Sequence, residues 1–226
     1  MSKFFAPDSF FSRIFGTAAD LIILNFLFIL TSLPILTIGA SCTAMCRSVH
    51  VLLESTGSPA KAYLTTWRRE WKQATAIWLF LLAFVAIATA EILWVISFKS
   101  ISVSVLLLTI LTALVFLSTS AYVFPLLSRF DNTTFQMLKN GLILVFAHPL
   151  KTFLIMISNL LPAVMLVIFP YWFLRLGFIW LTLGFSLICY SNMRLLRPVF
   201  SALESTSEPQ EINSSHTAEW FFTKTA

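Results

Sequence analysis

The stretch Lys72-Gln73-Ala74-Thr75-Ala76-Ile77-Trp78-Leu79-Phe80-Leu81-Leu82-Ala83-Phe84, continuing without a break to Phe98-Lys99, decides the fold. Between its two flanking lysines, Glu91 is the only charged residue. At about 1.5 Å of rise per residue, such a segment crosses the roughly 30 Å hydrocarbon core of a bilayer. Comparable apolar runs cover 17–33, 101–127, 152–169 and 174–193. In lipid every backbone N–H and C=O must be satisfied internally, which leaves helices or a closed barrel. A barrel would show segments of about 10 residues with alternating polarity. The runs here are continuous, so the expected fold is all-α: a polytopic transmembrane helical bundle.

Composition agrees. The chain is 58% hydrophobic and 11% charged, against about 25% charged for a soluble domain, so lipid must solvate most of its surface. The net charge of +5 reads as juxtamembrane anchors rather than a nucleic-acid footprint, because no basic run is dense enough and no aromatic-interleaved motif accompanies one. Cys42, Cys46 and Cys189 all lie in apolar segments and form no disulfide framework. Pro7 and Asp8 break the first residues, which therefore do not read as a secretory signal. Phe4, Phe5, Phe10, Phe11 and Phe15 around Lys3 and Arg13 suit a short helix in the interface instead. Residues 1–200 form one transmembrane domain, and 201–226 a polar, disordered tail.

Pro34 and Gly39, close together in Ser32-Leu33-Pro34-Ile35-Leu36-Thr37-Ile38-Gly39, predict a tight turn between two helices. The helix that follows, over 39–54, is short, and it carries Arg47 and His50. If it crosses, the chain has six spans and nearly all Lys and Arg fall on one side. If it does not, five spans remain and Lys3 and Arg13 move to the other side. The charge asymmetry is cleaner with six. Either way, positive charge marks the cytoplasm and places two short amphipathic helices there. The first, within 55–73, has Tyr63, Trp67 and Trp71 at four-residue spacing among Arg68, Arg69, Glu70 and Lys72. The second runs over 134–147, capped by Asp131-Asn132-Thr133 and ended by His148-Pro149. Their similar outlines suggest a weak internal repeat.

Few residues are candidates for chemistry. A carboxylate inside a span costs about 2.5–3.5 kcal/mol at the helix centre, so Glu91 is either a proton or cation ligand or a structural charge, solvated near the outer interface or paired with Arg175. Asp20 reads as an ion-pair partner of Arg13, Arg194 or Arg197. Asn25, Asn159 and Asn192 are amides in apolar runs, suited to inter-helix hydrogen bonds of typically about 0.6 kcal/mol or to a polar path. Cys42, Cys46, His50 and Glu54 recur every four residues and form one helical stripe. One helix cannot enclose a tetrahedral metal, so no metal and no cofactor is expected. No nucleophile elbow, phosphate loop or nucleotide fingerprint is present, and no catalytic activity is expected.

Leu33-Pro34-Ile35-Leu36-Thr37-Ile38-Gly39-Ala40 with Thr43-Ala44 resembles the signature of the YesL-like family of small bacterial integral membrane proteins. Gly16, Asp20, Leu21, Ile22 and Asn25 resemble its first helix. Trp71-Lys72-Gln73-Ala74 and His148-Pro149-Leu150-Lys151-Thr152 are similar to further family patterns. Cys46-Arg47 departs from them, standing where aromatic or aliphatic residues are expected. The resemblance implies a multi-pass protein of the bacterial plasma membrane whose biochemistry is not established and whose genes neighbour carbohydrate ABC-transporter genes. It thus implies an accessory role in sugar uptake, with ABC permease subunits as partners and Trp67, Arg68, Arg69, Trp71 and Lys72 as the cytoplasmic interface. The alternative is a small secondary transporter or channel whose path includes Glu91, Asp20, Asn25 and Asn159. The sequence leaves the oligomeric state open.

Overall fold

The computed structural model describes residues 10–98, 103–130 and 132–203, which are helical except for short connections. The elements are α1 (Phe10–Ser32), a 3₁₀ turn (Ile35–Thr37), α2 (Ile38–Glu54), α3 (Pro59–Phe98), α4 (Val103–Leu127), α5 (Thr134–Ala147), α6 (Pro149–Ile168), the short α7 (Pro170–Arg175) and α8 (Gly177–Leu203). Among the described residues six helices are long and apolar enough to cross a membrane, so the chain is an all-α, multi-pass membrane protein. Residues 1–9 of the phenylalanine-rich start, the connection at Lys99 and most of the polar tail lie outside the described residues, while Phe10, Phe11 and Phe15 belong to the continuous α1.

The turn at Pro34 forms as expected, and its residues hold it. The Pro34 carbonyl accepts the Thr37 N–H at 2.9 Å and the Thr37 hydroxyl at 2.8 Å, and that hydroxyl also donates to the Thr31 carbonyl at 2.6 Å. From α3, the Trp78 indole donates to the Ile35 carbonyl at 2.9 Å. Gly39 is required by proximity. A methyl there would lie 2.5 Å from the Ala74 carbonyl oxygen and 2.7 Å from the Trp78 Cβ.

The expected first amphipathic helix is not a separate element. Nothing between Trp67 and Ala74 breaks a helix, so the basic segment continues into the span as one 40-residue α3. Its aromatic stripe also divides. Tyr63 is fully buried in the core, Trp67 packs against the core, and only Trp71 is exposed, with the Lys72 ammonium 5.8 Å from its ring. Tyr63, Thr66, Glu70, Ala74, Ile77 and Leu81 make one buried face, the spacing expected of a helix packed along one side. The second amphipathic helix, α5, does stand alone. The Thr133 N–H donates to Gln136 Oε1 at 3.3 Å, as in a capping box, and His148-Pro149 separates α5 from α6. The two polar segments are therefore built differently, against the suggested repeat.

α3 and α4 pair antiparallel. Thr109 meets Glu91, Trp78 meets Phe124, and the Gln73 amide donates to the Asn132 carbonyl at 2.7 Å. α2 contacts both sides of this pair. Gly39 lies against Ala74, and Glu54 lies 3.6 Å from Arg129, just beyond α4. α2 therefore packs against α3 around Ala74 and Trp78. That explains its composition: 61% of its span window is buried against protein, the largest share of the six. Small residues Gly39, Ala40, Ser41, Thr43, Ala44 and Ser48 face its neighbours. At the other terminus, α8 runs past Pro198, and Val199 and Phe200 are core residues rather than the start of a loose tail.

Candidate functional site

Polar side chains inside the bundle join helices. Asn25, fully buried on α1, reaches the π-helical turn Trp180–Gly184 of α8. Its amide donates to the carbonyls of Trp180 at 3.1 Å and Leu181 at 2.7 Å, and its Oδ1 accepts the Ser186 N–H at 3.0 Å. A π turn displaces backbone groups from the regular ladder, and in an apolar setting each unpaired group is costly. Asn25 satisfies three of them. The Trp180 ring lies over Gly184, where any Cβ would collide with it, and stacks on Phe173 at 5.7 Å. A second junction joins α1, α2 and α3. The Thr31 hydroxyl is 2.9 Å from that of Ser41 and 2.6 Å from that of Tyr63.

A cavity of about 390 Å³ opens between α2, α4, α6 and α8. Its walls are mainly apolar, with Trp78, Phe116 and Phe124 among them, and two helix-interior prolines, Pro125 and Pro162, border it. Its polar residues include Asn159 and Asn192, which bond to each other: the Asn192 amide donates to Asn159 Oδ1 at 2.8 Å. Asn192 Oδ1 has no hydrogen-bond partner among the described residues. All three cysteines also line the cavity, and the thiols of Cys46 and Cys189 stand 3.9 Å apart.

The structure divides the Cys42, Cys46, His50, Glu54 stripe. Its first half faces the cavity. Its second half joins a charged cluster, with His50 Nδ1 3.3 Å from Glu54 Oε1 and Arg129 3.6 Å from the same oxygen. The Arg129 guanidinium lies 5.1 Å from the Phe200 ring. Among the described residues no three His, Cys, Asp or Glu side chains group closely enough to hold a metal.

The other sequence candidates are dispersed. Glu91 lies away from the cavity. Its Oε2 accepts the Thr109 hydroxyl at 2.7 Å, and its Oε1 is buried without a partner among the described residues. The suggested Glu91–Arg175 pair does not form. Arg175 instead donates to the Tyr171 hydroxyl at 3.3 Å on its own short helix, one turn back. Asp20 is half-buried and makes no ion pair with Arg194 or Arg197. Of the supposed interface, Arg68, Arg69, Trp71 and Lys72 are exposed and Trp67 is half-buried; Arg69 contacts Glu70 at 2.5 Å. Sequence reasoning did not find the Cys46–Cys189 pair. One member was visible in the stripe, but the other is 143 residues away.

Fold and site together define a multi-pass helical membrane protein whose intramembrane polar groups mostly bond one another. Residues 21–92, from α1 to near the end of the α3 span, match a family described as proteins of unknown function, DUF624. The Pro34–Gly39 turn and the whole α2–α3 packing fall inside that match. No curated protein and no solved structure matches the chain.

Proposed function

We propose that the protein is a non-catalytic accessory subunit of the bacterial plasma membrane that binds the permease subunits of a carbohydrate ABC-type uptake system. The likeness to the YesL-like family supplies the sugar context. One structural observation supports the accessory role: the cavity wall is largely apolar, and its two asparagines bond each other. A sugar path needs many free hydrogen-bonding groups, and here most are engaged in joining helices. The exposed basic face at Arg68, Arg69 and Lys72 is the cytoplasmic contact surface in this reading. Co-purification in mild detergent tests it. ABC permease subunits should be recovered with the wild-type chain and lost with Arg68→Glu/Arg69→Glu, and sugar uptake should fall in parallel. Normal uptake without the protein, and no permease recovered, would overturn the reading.

The second reading, a small transporter, rests on the unpartnered Glu91 Oε1 and Asn192 Oδ1. It requires Glu91→Gln to abolish uptake at normal protein level, whereas the accessory reading requires uptake to persist. We also infer that α2 does not cross the membrane, because it is the most enclosed of the six apolar helices and carries Arg47, His50 and Glu54 in its second half. Five crossings remain, with the basic segments cytoplasmic and the two chain ends on opposite sides.

A further inference from the structure

The chain has three cysteines, and the fold brings all of them to one apolar cavity. Two face each other across separate helices, Cys46 on α2 and Cys189 on α8, with 3.9 Å between sulfurs. A disulfide requires about 2.05 Å, so closure needs an approach of roughly 2 Å. The pair is asymmetric. Cys189 is partly exposed, whereas Cys46 is buried. The asymmetry suits a peroxide-reducing pair, in which an accessible thiol is oxidised first and a sheltered neighbour resolves it. Cys42 lies one turn from Cys46 on the same helix and has no sulfur contact with Cys189 among the described residues.

We propose that Cys189 and Cys46 form a peroxide-reducing pair whose substrate is an apolar organic hydroperoxide, such as an oxidised lipid chain, reaching the cavity from within the membrane. The apolar lining selects that substrate class, since hydrogen peroxide partitions into water. In the first step the Cys189 sulfur attacks the terminal peroxide oxygen and the O–O bond breaks. The hydroperoxide is reduced to the alcohol, which takes up one proton, and Cys189 becomes a sulfenic acid. In the second step the Cys46 sulfur attacks the Cys189 sulfur, the S–O bond breaks and water leaves. One hydroperoxide and two thiols thus give one alcohol, one water and one disulfide. The new bond ties α2 to α8 across the cavity, so the reaction also locks the bundle. The site does not depend on any role in sugar uptake.

The test uses the full chain, reduced and purified into lipid nanodiscs, with cumene hydroperoxide as the probe. Wild type should form about one cumyl alcohol per chain and a 46–189 disulfide by peptide mass, with Cys42 still free. Cumene hydroperoxide should react about tenfold or more faster than hydrogen peroxide at equal concentration, the scale that apolar access over a few methylenes would give. Cys46→Ala should stop at a Cys189 sulfenic acid trapped by dimedone, and Cys189→Ala should yield neither product. The wild-type measurements need no variant, so a misfolded variant does not decide the outcome. Free thiols at 46 and 189 after exposure, a disulfide to Cys42 instead, or equal rates with both peroxides would overturn the proposal.

Discussion

Gly39→Ala is a single-methyl test of the α2–α3 packing. Its new methyl would sit 2.5 Å from a backbone carbonyl oxygen and 2.7 Å from a Cβ. Neither atom can rotate away, so the helices must separate. Overpacking of this kind costs about 1–3 kcal/mol, and the immovable obstacles place it near the upper end. Separation also stretches the 2.9 Å Trp78–Ile35 bond, worth about 1 kcal/mol. The gain in helix propensity over glycine offsets about 1 kcal/mol. The net expectation is a loss of about 3 kcal/mol. Gly16→Ala is the control, because nothing lies within 4 Å of its added methyl, and it should be neutral or stabilise by up to about 1 kcal/mol. Reversible SDS unfolding in mixed micelles, followed by tryptophan fluorescence, compares the two. If both substitutions shift the midpoint in the same direction and by similar amounts, the close approach at Gly39 is not what holds α2 on α3.

Asn25→Leu removes three hydrogen bonds to the π turn. At about 0.6 kcal/mol each it should lose about 2 kcal/mol in the same unfolding experiment, and an unchanged midpoint would mean that the turn sustains itself. A cysteine at the exposed Ser58 should react with an impermeant maleimide only from the cytoplasmic side. A reporter fused to the N-terminus should lie on the opposite side of the membrane from Ser58; a reporter on the same side restores the sixth crossing.

Local signals in the sequence were read well. The proline-to-glycine turn, the helix start after Asp131-Asn132-Thr133 and the His148-Pro149 break each depend on neighbouring residues, and each appears where the sequence places it. Signals that depend on distant partners were legible only in part. Asn25 is visibly a buried amide, yet nothing near it announces a π turn more than 150 residues later. The spacing of Tyr63, Trp67 and Trp71 gives a helical face, but not whether protein or headgroups cover it. Asp20 and Glu91 drew attention because charge is rare in spans, but rarity does not bring them to the cavity. The cavity forms where α2, α4, α6 and α8 meet, and no single stretch encodes it.

Hydropathy alone leaves α2 open for a related reason. A transfer scale asks what a segment costs when lipid surrounds it. α2 packs against α3, α1 and α4, and its serines and threonines bond within its own helix or to neighbours. The Ser48 and Thr43 hydroxyls donate to carbonyls one turn back, and Ser41 joins Thr31 and Tyr63. Such a helix can be only moderately apolar and still be long enough to span. The same setting explains why Cys42 and Cys46 face a cavity while His50 and Glu54, two turns on, reach Arg129 beside the aqueous boundary. One continuous stripe thus serves an apolar chamber at one end and a charged cluster at the other.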